Sequence, residues 1–184
     1  MSHWKIWLRL TAAIWFVLVV VWTAMIAWES AVNRETAIRQ AQDFAGSIHE
    51  MTMAGLTGMM ITGTVGQREV FLDQIKQLSI IKDLHVARSP AVVQTFGPDT
   101  KSSRQLDAVE QQVMSAGQAV VRAESDSGGS YLRVVTPTRA SKNYLGKDCI
   151  MCHQVPEGTV LGVVSMKVSL DAVEAEVTAF RLKI

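Results

Sequence analysis

The sequence predicts an α+β protein: a membrane-spanning N-terminal helix that continues into a long helix, then a small antiparallel sheet with flanking helices. Three observations lead there. All five tryptophans, Trp4, Trp7, Trp15, Trp22 and Trp28, stand at the N-terminus in and around an uncharged apolar run. The next segment, Glu29 to Met60, lacks proline and carries apolar residues at alternating spacings of three and four. Beyond Ser79 the texture changes to short β-type runs broken by turn residues. The expected division is a membrane anchor over 1–28, a helical segment over 29–78 and an α+β domain over 79–184.

The anchor reads LTAAIWFVLVVVWTAMIA from Leu10 to Ala27 without a charge, about the run that a helix needs to cross a bilayer. Trp7 and Trp28 bracket it. The helical rise between them amounts to roughly 30 Å, which places their rings at the two interfaces where amphipathic aromatics settle. Arg9 can extend its head group to the nearer interface. A cleaved secretory signal also begins with basic residues, but its apolar core is shorter, and no small-x-small site precedes Trp28. A buried core helix would not need tryptophan at both ends. Charge leaves the orientation open, because Lys5 and Arg9 precede the span while Arg34 and Arg39 follow it.

In the second segment Ile38, Ala41, Ala45, Ile48, Thr52, Gly55 and Met59 form the seam of a packed helix. A long helix leaving a bilayer cannot bury such a seam alone, so a homodimer is expected. Thr62 to Gly66 should break the helix, and Arg68 to Leu78 resumes a shorter amphipathic one. The domain opens with a strand over Ile80 to Ala87 and turn residues at Ser89-Pro90 and Gly97-Pro98-Asp99. Leu106 to Ala116 has helical spacing that ends at Gly117. Ala119 to Glu124 and Tyr131 to Pro137 read as a hairpin joined through Gly128-Gly129. Thr159 to Leu170 reads as a well-buried strand, and Asp171 to Ile184 as an amphipathic helix.

Length and charge exclude two function classes. A chain of 184 residues has room for one domain and a membrane segment, not for a large multidomain enzyme. Formal net charge is +1 with Lys and Arg scattered, so the basic footprint of a nucleic-acid binder is missing and nucleic acid is not an expected partner.

The two cysteines sit in Cys149-Ile150-Met151-Cys152-His153, the C-x-x-C-H pattern of c-type haem attachment. Two thiols at this spacing can add to the two vinyl groups on one porphyrin edge. The residue that follows then lies under the ring, where His153 would be the proximal iron ligand. A structural zinc site would need further Cys or His ligands, and no second pair is present. A thioredoxin-like pair would open a helix after a βαβ-type strand, which the flanks do not show. A plain disulfide leaves the adjacent histidine unexplained. Thioether attachment takes place outside the bacterial cytoplasm, so the expectation is one covalent haem c on a domain facing the periplasm, anchored by a single pass in the inner membrane.

The second axial position stays open at this stage. Met59 and Met60, at the end of the long helix, are first choices, although methionines at helical spacing are commonly core filler. His49 on the same helix and His85 in the first strand are the alternatives. Arg88, Lys101, Arg133 and Arg139 could pair with the haem propionates.

The stretch YLRVVTPTRASKNYLGKDCIMCHQVPEGTVLGVVSMKVSL, from Tyr131 to Leu170, resembles the periplasmic c-type haem sensor domains of bacterial methyl-accepting chemotaxis receptors and related signalling proteins. The likeness is carried by the strand Leu132 to Pro137, the approach Asn143 to Asp148, and Pro156 to Gly162 leading into the last strand. Gly58-Met59-Met60-Ile61-Thr62-Gly63 and His85-Val86-Ala87-Arg88 extend it over most of residues 30 to 184. The resemblance implies a PAS-like fold, dimerisation through the long helices, haem as detector of a redox change or a gas, and Met60 or Met59 as distal ligand, reaching across a dimer. Receptors of this type carry a second membrane helix and an output module, and the sequence here ends at Ile184. It is expected to be the sensory part of something longer, or a short relative with another use.

Two functions follow as expectations. A sensor would pass a change at the iron through the last strand and terminal helices to a downstream signalling module. A membrane-tethered relay would hand electrons to a transfer partner, as an accessory subunit of a larger complex. No substrate-directed acid, base or nucleophile constellation accompanies the motif, so an enzyme is not expected.

Overall fold

The computed structural model describes residues 3–98, 104–173 and 175. Asp99, Lys101 and most of the helix expected over 171–184 lie outside them. The chain divides into two compact units, Met1–Arg39 and Gln40–Ile184, and one helix, α1 (His3–Ile61), contributes to both. The length of α1 follows from composition: the first glycine is Gly46 and the first proline Pro90, so no breaker interrupts its first forty residues.

In the first unit α1 is long and apolar enough to cross a membrane, and none of its most apolar window is buried within the chain. Trp7, Trp15, Trp22 and Trp28 are all exposed. Thr11 and Thr23 donate their hydroxyls to carbonyls one turn back, those of Trp7 and Val19, at 3.0 and 2.9 Å. The span thus presents no unsatisfied hydroxyl to its surroundings.

In the second unit α1 buries Ala41, Ala45, Ile48 and Thr52 as the periodicity predicts, and Met53 and Leu56 besides. The buried stripe is wider than a seam, as a helix lying on a sheet requires. It ends where Thr62 to Gly66 predicted a break, and the terminus is a Schellman motif. Gly63 adopts a φ of 73°, Thr64 N donates to Met59 O at 2.8 Å and Gly63 N to Met60 O at 3.3 Å. A 3₁₀ turn at Val65–Gln67 leads into α2 (Arg68–Lys76), which buries Leu72 and Ile75. A Cβ at Gly55 would stand 2.5 Å from the Phe71 ring, so α2 crosses α1 where α1 has no side chain.

Four strands form one antiparallel sheet in the order β1-β4-β3-β2: β1 (Ile81–Arg88), β2 (Val120–Asp126), β3 (Gly129–Arg139) and β4 (Val160–Ser169). The α+β arrangement is therefore as predicted. The hairpin closes more tightly than expected, through Ser127-Gly128 alone, because Ser125 pairs with Ser130 and Asp126 with Gly129, and the Asp126 carboxylate accepts from Gly128 N at 2.8 Å. β4 lies between β1 and β3 and is buried on both faces, with Val163, Val164, Met166 and Val168 inaccessible, which explains its near-continuous apolar run.

Side chains alternate between two faces. On one face Thr138 meets Met53 of α1, donating its hydroxyl to the sulfur at 3.5 Å. On the other, Val135 and Val163 pack against Val113 of α4 (Ala108–Ala116). α4 starts at a capping box formed by Asp107 and Glu110 and ends at Gly117. The helix α3 (Pro90–Phe96) was not predicted; Ser89 caps its N-terminus and Pro90 fills the first turn. Ser-Pro was read as a turn, and it is equally a helix start.

Candidate functional site

The C-x-x-C-H residues form a short helix of their own, α5 (Cys149–His153). Three local devices hold it. Upstream, Tyr144 and Lys147 exchange backbone hydrogen bonds of 2.8 and 2.9 Å around Leu145 and Gly146, whose φ values of 49° and 75° are those of a tight primed turn. Asp148 then caps α5, its carboxylate accepting from Ile150 N at 2.8 Å and Met151 N at 3.3 Å. Downstream, Gln154 takes a left-handed φ of 50° and closes the helix on Ile150 O.

Tertiary contacts tie α5 to the ends of β3 and β4. Cys149 N donates to Ser141 O at 2.9 Å. Cys149, Ile150 and Val155 pack on a small core of Val92 from α3, Ala140 and Leu161. Arg139, at the end of β3, donates to Gly158 O at 2.9 Å and Gly117 O at 2.7 Å.

Both thiols are free, Cys149 half-buried and Cys152 exposed, and their i, i+3 spacing puts them on one side of the helix. His153 is half-buried, its ring edge-to-face with Phe96 at 5.2 Å and 76°. Its Nδ1 is buried and has no hydrogen-bond partner. Burial pushes its pKa below the ordinary imidazole value, so the ring is neutral and keeps a lone pair to give. The arrangement offers two adjacent nucleophilic sulfurs and one neutral imidazole at the exposed end of a helix.

The remaining sequence candidates fall in different places. Arg88 donates to Gly97 O at 3.2 Å, and burial and the neighbouring Arg68 lower its pKa. Gly97 ends α3, whose Val92 packs with Cys149 and Ile150 of α5 and whose Phe96 meets His153, so Arg88 is tied to the helix that supports the site. Arg133 hydrogen-bonds Asp107 and lies 3.8 Å from Glu110, committed to the α4 face of the sheet. His85 is on that face too, with Nδ1 at 3.3 Å from Glu110 Oε1. Met59 is half-buried and Met60 exposed, at the Schellman terminus.

His49 behaves differently. It is half-buried, its Nδ1 is buried without a partner, and burial lowers its pKa against the opposing charge of Glu50. Burial, and after it the negative charge of Glu50, raises the pKa of the Tyr144 phenol.

Two alternatives can be weighed against this geometry. The cysteines do open a helix, as a thioredoxin-like pair would, but the sheet is antiparallel throughout and contains no βαβ unit. Among the described residues no three His, Cys, Asp or Glu side chains come together to hold a metal ion, so a protein-only zinc site is not built.

Sequence reasoning did not single out Phe96, Tyr144 or Glu110 for these positions. Phe96 carries no local signal, because its neighbour His153 is distant in the chain. Glu110 was legible as the third residue of a capping box, not as the buried centre of a polar cluster. Its carboxylate accepts from Arg104 at 2.9 Å and from Asp107 N at 3.0 Å, beside His85. Burial alone would raise its pKa, but bonds from His85, Asp107 N and Ser165 and the charge of Arg104 hold it at about 2. In comparison with known proteins, no family model and no curated protein matches the chain.

Proposed function

We propose that this chain is a membrane-anchored, periplasm-facing monohaem c-type protein that serves as a redox or gas sensor input for transmembrane signalling. One observation carries the reading: the free thiols of Cys149 and Cys152 share one side of a capped helix that ends at a neutral imidazole with an unpartnered buried nitrogen. The residues present suit a thioether-linked haem. Cys149 and Cys152 would hold it covalently, and His153 would bind the iron from below. When bound, the haem supplies a one-electron couple and an axial position for a ligand. The protein's own contribution is to fix the attachment helix through Asp148 and Ser141, to brace His153 with Phe96, and to keep that imidazole unprotonated by burial. Arg88, tied to the end of α3, would be a cation for a propionate.

Two features support a sensor. α1 runs without a break from the apolar span to the sheet, and β4 leads from the neighbourhood of α5 directly into the helical residues 170–173. A change at the iron would have a short path to both. The resemblance adds a PAS-like class for the sheet, pairing of two copies along α1, and a downstream signalling module as partner. The relay reading is favoured by a different feature, the exposure of Cys152 and Met151, which would leave a haem edge open to an electron-transfer partner.

Purified full-length protein, expressed with a c-type maturation system, tests the reading. A covalently bound chromophore of c-type absorbance is expected in the parent and absent from the Cys149→Ser, Cys152→Ser double variant. Colour retained covalently in the double variant sinks the assignment. Hydrogen exchange of oxidised and reduced protein separates the two uses: altered protection in α1 and β4 favours the sensor, and unchanged protection the relay.

A further inference from the structure

A histidine that binds a metal almost always donates its other ring N–H to a carbonyl or carboxylate, and that bond fixes the plane of the ring. His153 has no such bond. Its Nδ1 is buried with no hydrogen-bond partner, which leaves Nε2 as the nitrogen for iron. What meets the ring is Phe96, edge-to-face, at 5.2 Å between centroids and 76° between planes. Stability does not explain Phe96. It ends α3 and stays 53% exposed, so its ring buries little apolar surface. Its backbone, by contrast, is firmly held. At the start of α3, Ser89 Oγ accepts from Val92 N at 3.4 Å, and Ser89 N donates to Leu161 O of β4 at 2.9 Å. At the end, Gly97 N donates to Val93 O at 2.9 Å, and Gly97 O accepts from Arg88 of β1 at 3.2 Å. One turn before Phe96, and so on the same side of the helix, Val92 belongs to the small core on which Cys149 and Ile150 pack. α3 is thus fastened to the sheet at both ends and turns Val92 and Phe96 to α5.

We propose that Phe96 is the positioning residue for the proximal imidazole: its ring edge, in place of a hydrogen bond at Nδ1, sets the angle at which the His153 ring meets the haem. The inference rests on the haem reading above. An imidazole without an acceptor at Nδ1 is a weaker donor to iron than a hydrogen-bonded one, and only packing keeps its plane from turning about the bond to the metal. Edge-to-face contact between aromatic rings is directional. A phenyl edge can therefore hold an angle that an aliphatic side chain of similar bulk does not. That angle decides how the imidazole overlaps the iron orbitals, so α3 tunes the iron without touching it.

Electron paramagnetic resonance of the full-length, haem-loaded protein in detergent reads this angle through the rhombic splitting of the ferric signal. The parent should give one narrow set of g values. Phe96→Ala should broaden or multiply that set, and Phe96→Leu should do the same despite its bulk. Phe96→Tyr keeps the ring edge and has room for its hydroxyl in solvent, so it should return the parent signal. A Phe96→Ala signal identical to that of the parent overturns the positioning role and leaves the haem reading standing. So does a change that Phe96→Leu repairs or that Phe96→Tyr fails to repair. A parent with no covalent haem overturns both.

Discussion

His85 on β1 and Glu110 on α4 meet at 3.3 Å beneath the sheet, with the Glu110 carboxylate wholly buried. An ionised carboxylate can only accept, so Nδ1 is the donor. Arg104, the Asp107 amide and Ser165 complete the shell, and the result clamps α4 to both β1 and β4. Removing the carboxylate takes away the acceptor that His85, Arg104 and the Asp107 amide share, while Arg104 keeps Asp83 at 2.7 Å. Glu110→Ala should therefore destabilise the domain by about 3–5 kcal/mol, the range for breaking a buried ionic cluster. Urea unfolding followed by circular dichroism would measure it, and a loss below 1 kcal/mol would show that the cluster is not structural.

The same carboxylate sets an acid limit. Its pKa is held at about 2 in the folded domain against an ordinary value of 4.5, a depressed folded pKa. Its contribution is thus fully present above pH 4.5 and is lost as pH falls towards 2, amounting to something on the order of 3 kcal/mol. Unfolding midpoints should be level near neutrality and fall through this window, and the fall should be shallower in Glu110→Gln.

Glycine positions separate crowding from freedom. A Cβ at Gly162 of β4 would lie 2.4 Å from the Ala87 carbonyl of β1, a backbone atom that cannot turn aside. Gly162→Ala should push β1 from β4 and cost about 1–3 kcal/mol. Gly46, inside α1, meets nothing within 4 Å, and Gly46→Ala should stabilise by up to about 1 kcal/mol through helix propensity. Thermal unfolding of the two variants should move in opposite directions.

Asp148 is the cap on which the attachment helix depends. Asp148→Ala removes the acceptor for Ile150 N and Met151 N and should cost about 1 kcal/mol locally. Because α5 has only five residues, that loss should fray it and lower the yield of covalently attached haem, while Asp148→Asn should restore most of the yield. Equal yields in all three proteins would show that attachment does not need the preformed helix.

Much of this architecture was readable residue by residue. The uncharged run from Leu10 to Ala27, the break at Gly63, the end of α4 at Gly117 and the apolar run of β4 each have a local cause, and each prediction landed within a few residues of the observed element. The strands ran longer than predicted at Asp126 and Arg139, because pairing with a neighbour extends backbone that polar residues alone would leave as loop. The helix at Pro90 was missed because Ser-Pro serves both a turn and a helix start.

The sequence by itself determined the chemistry available: two thiols and an imidazole at a fixed spacing, an apolar span, and a small set of further donors, since covalent spacing and periodicity are local properties. Tertiary structure decided which donors share a neighbourhood. It committed Arg133 to Asp107 and His85 to Glu110, and left Met60 exposed at the end of α1. Those outcomes depend on which face of the sheet each side chain takes and on where α1 crosses it, and both are set by packing between residues far apart in the chain.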